Sequence, residues 1–210
     1  MFITFEGIDA SGKTTQIKLF EQYLIEQNFK VIVVREPGGT KLSEKIREIL
    51  LSKEYFNMVK ECEIFLFSAS RAQLVREVIL PKLQEGYIVI SDRFHDSTTA
   101  YQGTGRDINL EDVYAIHRLA INDCVPDLTF FLDIPFEESL RRKKLGNLSP
   151  DRIESQGKEF FERVRSGYLE IQKREPERFK VINGLGSPDE IHKQIVQIFT
   201  DKLISLKGLL

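Results

Sequence analysis

The run Gly7-Ile8-Asp9-Ala10-Ser11-Gly12-Lys13-Thr14 matches G-x-x-x-x-G-K-[ST] at every fixed position. Residue types at that spacing suit one task, holding a polyphosphate. Glycines let backbone N–H groups converge on phosphate oxygens, and the start of a following helix adds a favourable dipole. In this reading Lys13 reaches the β- and γ-phosphates of ATP and the Thr14 hydroxyl ligates Mg²⁺. The pattern has false positives, so its context decides: the apolar run Phe2–Phe5 precedes it and an amphipathic stretch opens at Lys13. A second group on the metal side should be an acid at the end of a nearby strand. Asp92 closely follows the run Tyr87–Ile90, where an open sheet places its ligands. The alternative reading of Asp92 is a helix N-cap.

The elements that must position these groups follow from hydrophobic patterning. Five short apolar runs read as strands: Phe2–Phe5, Val31–Val34, Tyr87–Ile90, Leu128–Leu132 and Lys180–Ile182. Their near-continuous hydrophobicity fits a sheet covered on both faces, hence mostly parallel. Helical patterns fall between them at Lys13–Gln27, Lys41–Leu51, Met58–Leu83, Leu110–Asn122, Phe136–Lys143, Gly157–Arg174 and Pro188–Leu206. This alternation predicts right-handed crossovers and an α/β fold, a doubly wound P-loop NTPase-type sheet of five mostly parallel strands flanked by helices. With 210 residues the expectation is a single domain. One segment stands apart: Arg141-Arg142-Lys143-Lys144-Leu145-Gly146-Asn147-Leu148-Ser149-Pro150-Asp151-Arg152 is basic, then rich in turn formers. It reads as a short lid over about 141–153.

Composition narrows the class. The net charge of -2, from 30 basic and 32 acidic residues, lacks the basic excess of a duplex-binding protein, so no nucleic-acid partner is expected. Cys62 and Cys124 have no metal-ligand spacing and read as small core residues. No window approaches the roughly 18 apolar residues of a membrane span, and MFITFEGIDA lacks the pattern of a signal peptide. The expected compartment is the cytoplasm. A GTPase would carry N-K-x-D, and no Asn-Lys pair occurs. A kinase for a small anionic acceptor fits the lid and the scattered arginines.

At this point the sequence resembles a known family. Phe2-Ile3-Thr4-Phe5-Glu6-Gly7, Arg35-Glu36-Pro37-Gly38-Gly39-Thr40, Phe67-Ser68-Ala69-Ser70-Arg71, Asp92-Arg93-Phe94 and Ser97-Thr98-Thr99-Ala100-Tyr101-Gln102-Gly103 are similar to the motif series of bacterial thymidylate kinase. The similarity continues through Pro126–Thr129 and Asp151-Arg152-Ile153-Glu154 and covers nearly the whole chain.

The resemblance implies an ATP-dependent transfer to dTMP, giving dTDP for dTTP biosynthesis, by a homodimer. It places Phe67 on the thymine ring and Arg71 at the base O4; the two lie four apart, on one helix face. By residue type alone, Phe67 is equally a core side chain. Thr98 and Gln102 complete recognition of the base, with Ser97 beside them. Tyr101 lies along the sugar, where it disfavours a 2′-hydroxyl, and Asp9 faces the 3′-hydroxyl. Glu36 belongs to a turn beside the acceptor, while Arg47 and Arg93 grip the acceptor phosphate. Arg142 covers adenine, and the loop Asn183-Gly184-Leu185-Gly186 is its expected edge contact.

Two anions must meet, so Lys13, Mg²⁺, Arg93 and a lid cation offset their repulsion; no general base is required. The small neutral Ala10 and Ser11 imply the branch of the family that keeps its basic residue in the lid. Arg152 is the catalytic candidate there, although the stretch Leu145–Pro150 exceeds the family's usual lid length and leaves the choice among Arg142, Lys143, Lys144 and Arg152 open. Two alternatives stand beside this reading: a kinase for another nucleotide or nucleoside, and a nucleotide sensor without transfer.

Overall fold

The computed structural model describes residues 1–146 and 151–207. Asn147-Leu148-Ser149-Pro150, the turn-rich half of the expected lid, lies outside the described residues. Strands β1 (Phe2–Glu6), β2 (Val31–Arg35), β3 (Ile88–Asp92), β4 (Leu128–Asp133) and β5 (Phe179–Asn183) form one sheet in the order β2-β3-β1-β4-β5. Every pairing is parallel, so the carboxyl ends of all five strands lie at one edge. The chain passes first to β2, beyond β3, and later crosses β1 to reach β4. That reversal opens the crevice at the end of β1 in which such sheets bind ligands.

Alternation along β1 assigns its faces. Ile3 and Phe5 pack with Phe20 and Leu24 of α1 (Lys13–Glu26) and with Ile195 and Phe199 of α9 (Pro188–Lys207). Phe2, Thr4 and Glu6 face the opposite side, and there the buried layer turns polar. The Thr4 hydroxyl lies 2.8 Å from that of Thr129 on β4, and Arg178 forks onto Asp96 at 2.7 and 2.8 Å. Asp96 lies in α5 (His95–Thr98), so this ion pair anchors a segment expected at the site.

Burial alone would raise the Asp96 carboxyl, yet His95 and Arg178 hold it down at about 2, against an ordinary 3.8. With the folded value below the unfolded one, Asp96 adds roughly 2 kcal/mol that is present above about pH 4 and disappears towards pH 2. Urea titrations over that interval should show a shallower loss of stability for Asp96→Asn than for the native protein. Parallel curves would remove this role.

Several boundaries differ from expectation for identifiable reasons. The stretch expected as one helix over Met58–Leu83 comprises α3 (Lys60–Leu74), a π-helical segment (Val75–Ile79) and α4 (Leu80–Gln84). Pro81 lacks an N–H and crowds the carbonyl four residues back, and beside it the Leu80 N–H reaches Val75 O. A second π-helical segment, Thr99–Gly105, continues α5. Asp92 is the last residue of β3 rather than a cap beyond it. Helices α2 (Lys41–Leu51), α6 (Leu110–Ile121) and α8 (Lys158–Arg174) keep their expected places.

Much of the basic run belongs to α7 (Phe136–Leu145) rather than to a loop. Glu137 and Glu138 open this helix and Arg142, Lys143 and Lys144 close it, an arrangement that complements the helix dipole. Cys124 is buried as expected, whereas Cys62 is exposed on α3. His95 is buried as well.

Candidate active site

The loop between β1 and α1 is built as a cradle. Gly7 has φ +142°, and a Cβ there would stand 2.7 Å from the Leu132 carbonyl oxygen, which no side chain tolerates. Gly12 caps α1 in the left-handed region, offers no side-chain acceptor, and no acid sits in the first turn. The first N–H groups of α1 therefore lack a built-in anion, which suits an external phosphate. Lys13 is 7% exposed and donates to the carbonyls of Gly7 and Ile8 at 3.0 and 3.1 Å. Burial and Arg93 lower its affinity for a proton, against the pull of Asp92, Asp9 and Glu6.

Two cavities meet over this loop. The larger, about 640 Å³, is lined by Asp9–Gln16 with Asp92, Arg142, Gly184 and Gly186 among others. Arg142 bridges two loops of it, donating to Ala10 O and Ser11 O of the cradle at 3.3 Å and to Gly184 O at 2.8 Å. Thr14 and Asp92 share this cavity with Lys13. A hydroxyl and a carboxylate are the hard oxygen donors that Mg²⁺ takes, and Mg²⁺ commonly keeps waters and substrate phosphates as its other ligands. The residues present fit that ion. Among the described residues there is no cluster of three or more His, Cys, Asp or Glu side chains placed for a metal.

The smaller cavity, about 130 Å³, is lined by Asp9, Glu36, Arg47, Phe67, Arg71, Arg93, Ser97, Thr98, Tyr101 and Gln102, together with Pro37, Leu51, Phe94, Asp151, Ile153 and Glu154. The first ten are the side chains expected at the acceptor, brought together from the loops after β1, β2 and β3, from α2 and α3, and from α5 with its π-helical continuation. Asp9, Glu36, Arg47 and Arg93 line both cavities.

At that junction Arg93 holds φ +70°, a conformation that costs energy in a residue with a Cβ. It donates to Asp9 at 2.8 Å and to the Ser97 hydroxyl at 3.2 Å, and its guanidinium lies 5.3 Å from the Tyr101 ring centroid. Burial would raise Asp9, but Arg93, Lys13 and Lys143 together keep its carboxyl well below the usual range. Arg47 donates to Pro37 O at 2.9 Å.

Arg71 is 1% exposed. It donates to Glu36 at 2.7 Å, and its Nη2 donates to Phe94 O and Thr98 Oγ1 at 3.1 and 3.0 Å. Its Nη1 has no partner among the described residues. A buried, unpaired guanidinium N–H on a cavity wall is a donor waiting for an acceptor.

Arg152 departs from expectation. It is 2% exposed, lines neither cavity, donates to Leu50 O at 2.8 Å and pairs with Glu63 at 2.6 Å. A guanidinium so enclosed anchors the end of the lid to α2 and α3. Among the described residues, Lys143 on α7 is the lid-side cation beside Asp9: it too lines neither cavity, but it stands 3.9 Å from Asp9 and 3.1 Å from Glu154.

The sequence reading also passed over Glu6. It accepts from the Phe94 N–H at 2.7 Å, the Ser97 hydroxyl at 2.5 Å and the Tyr168 hydroxyl at 2.9 Å. Because Ser97 gives its proton to Glu6, its oxygen is free to accept from Arg93, so Glu6 sets the loop that carries that arginine. Burial, and the charge of Asp96, push the Glu6 carboxyl up to about 7, against Arg93, Ser97 and Tyr168. The available signal was an acid in an otherwise uncharged buried strand, directly before the cradle.

The thymidylate kinase sequence profile matches residues 5–195. Thymidylate kinase of Kosmotoga olearia is 46% identical over 209 residues, covering 100% of this chain and 98% of that protein. The enzyme of Thermosipho melanesiensis is 50% identical over 203 residues, covering 97% and 99%. The crystal structure of thymidylate kinase from Ehrlichia chaffeensis superposes with a TM-score of 0.77 at 36% identity, covering 95% of this chain and 98% of that one. The chain belongs to the thymidylate kinase family, ATP-dependent nucleoside monophosphate kinases that convert dTMP to dTDP in dTTP biosynthesis.

Proposed function

We propose that ATP·Mg²⁺ occupies the larger cavity and dTMP the smaller, with the two phosphate ends meeting at Asp9, Arg47 and Arg93. The observation that carries this reading is the shared lining: each residue expected at the acceptor borders one cavity, and four of them also border the cradle. Lys13 holds the β- and γ-phosphates, while Thr14 and Asp92 hold the ion, which neutralises charge between the nucleotides. Arg142 packs on adenine, and the backbone of Gly184–Gly186 borders the adenine edge.

On the acceptor side Phe67 stacks on thymine, Arg71 Nη1 donates to O4, and Thr98, Ser97 and Gln102 complete the polar contacts. Tyr101 lies beside the sugar, Asp9 faces the 3′-hydroxyl, Glu36 holds Arg71, and Arg47 and Arg93 grip the phosphate. The acceptor oxygen is already anionic near neutral pH, so the protein supplies position and positive charge rather than a base. A coupled assay of ADP release over dTMP, dUMP, dCMP, AMP and GMP, with and without magnesium, tests the assignment. A preference for a purine monophosphate would overturn it.

The whole chain acts as one kinase domain whose lid spans about 141–153, and Lys143 takes the lid cation's role in place of Arg152. Lys143→Ala should lower kcat about tenfold or more with little change in Tm, whereas Arg152→Ala should lower Tm and leave the chemical step nearly intact. Stopped-flow single turnovers beside thermal melts separate the two; the reverse pattern would restore Arg152 to catalysis.

The enzyme works in the cytoplasm as a homodimer. Exposed Phe65 on α3, with Phe56 and Val59 before it and Leu119 on α6, supports a covered face, and sedimentation at the mass of a single chain would remove the dimer. Among the described residues no helix is long and apolar enough to cross a membrane.

A further inference from the structure

One polar side chain of the acceptor cavity is oriented from outside it. Gln102 lines the cavity and Glu63 does not. Glu63, on α3 and 1% exposed, accepts from Gln102 Nε2 at 2.8 Å, from Arg106 at 3.3 Å, and pairs with Arg152 at 2.6 Å. Burial would raise its carboxyl, but Gln102, Arg106 and Arg152 hold it below the usual range. An ionised carboxylate only accepts. The end of the Gln102 amide that meets Glu63 must therefore be the NH₂, which leaves Oε1 as the end available to a ligand in the cavity that Gln102 lines.

On the same cavity Arg71 Nη1 is a buried donor without a partner among the described residues. The wall thus presents one fixed donor and one fixed acceptor. A 4-oxo pyrimidine offers O4 as acceptor beside an N3–H donor; cytosine offers an amino donor beside a bare N3. The wall matches the first edge and opposes the second at both positions.

We propose that Glu63 is a positioning residue for base selectivity: it fixes the Gln102 amide so that Oε1 meets an N3–H, favouring 4-oxo over 4-amino pyrimidines. The inference rests on the dTMP reading above and adds a residue that touches no substrate. Glu63→Gln offers Gln102 either a donor or an acceptor, so the amide is free to flip and present its NH₂ to cytosine N3. The ratio of kcat/KM for dTMP to that for dCMP should fall about tenfold, chiefly through KM.

The test compares native enzyme, Glu63→Gln, Gln102→Ala and the double variant with both acceptors, beside thermal melts. Glu63→Gln should lower the ratio in the native background and leave it unchanged in the Gln102→Ala background, because Glu63 acts through Gln102. An unchanged ratio in the native background, or an equal drop in both, overturns the inference. A merely structural loosening through Arg106 and Arg152 lowers Tm and both activities together and leaves the ratio alone, which also overturns it. A native enzyme with no preference for dTMP over dCMP would defeat the dTMP reading instead.

Where Glu63→Gln does not fold, a dTMP-bound structure of the native enzyme decides. Gln102 within about 3 Å of N3, with its other end on Glu63, supports the inference. Gln102 turned away from the base overturns it.

Discussion

Lys13→Ala is expected to lower kcat by about 10²–10³ while KM for dTMP changes less than about threefold. The lysine sits under the cradle, 7% exposed, among Asp92, Asp9 and Glu6. Its charge is preorganised by burial, so it acts without the reorganisation that a solvated lysine would need. It borders the larger cavity and not the smaller one, which is why acceptor affinity should survive. Steady-state kinetics over both substrates, with a thermal melt to exclude unfolding, provide the check. A rise in KM for dTMP as large as the fall in kcat would show that Lys13 belongs to the acceptor as much as to the donor.

Arg71→Ala should act on the other parameter, raising KM for dTMP about 10–100-fold with a much smaller effect on turnover. The alanine variant alone is ambiguous, because it also leaves Glu36, 4% exposed, without its cation, and an unpaired buried carboxylate destabilises a fold by about 3–5 kcal/mol. Arg71→Lys separates the two effects. Lysine keeps a positive charge near Glu36 but cannot donate in four directions from a planar fork. That variant should melt close to the native temperature and still show KM raised about tenfold. If Arg71→Lys binds dTMP normally, the Nη1 donor is not reading the base.

The cradle and the donor side were legible in the sequence because their chemistry is local. Gly7 to Thr14 are contiguous, and their spacing alone specifies where backbone N–H groups, a lysine and a hydroxyl will stand. The strands were legible for a similar reason, since a sheet covered on both faces requires continuous apolar runs. The acceptor residues came from motif order rather than from any local rule. Phe67 by itself reads as core; only beside Arg71, Thr98 and Gln102 does it become one wall of a cavity.

What was illegible depends on separation along the chain. Glu6 meets Tyr168 across 162 residues, and Arg152 meets Leu50 across 102. A basic residue in a basic run looks like any other until packing encloses it, so Arg152 and Lys143 could not be told apart. The π-helical turn that brings Tyr101 and Gln102 to the cavity also escaped the reading, because its register depends on packing against α8 and α6 as well as on composition.

By itself, then, the sequence determined that a parallel sheet carries a phosphate cradle at its carboxyl edge, with an acidic and a basic residue at the neighbouring strand end. The tertiary structure decided which charges meet substrate and which are consumed in holding the walls. Buried carboxylates such as Glu6 and Glu63 take their roles from donors that arrive from distant segments of the chain, and a carboxylate's meaning in a low-dielectric interior is set by those donors, not by its neighbours in sequence.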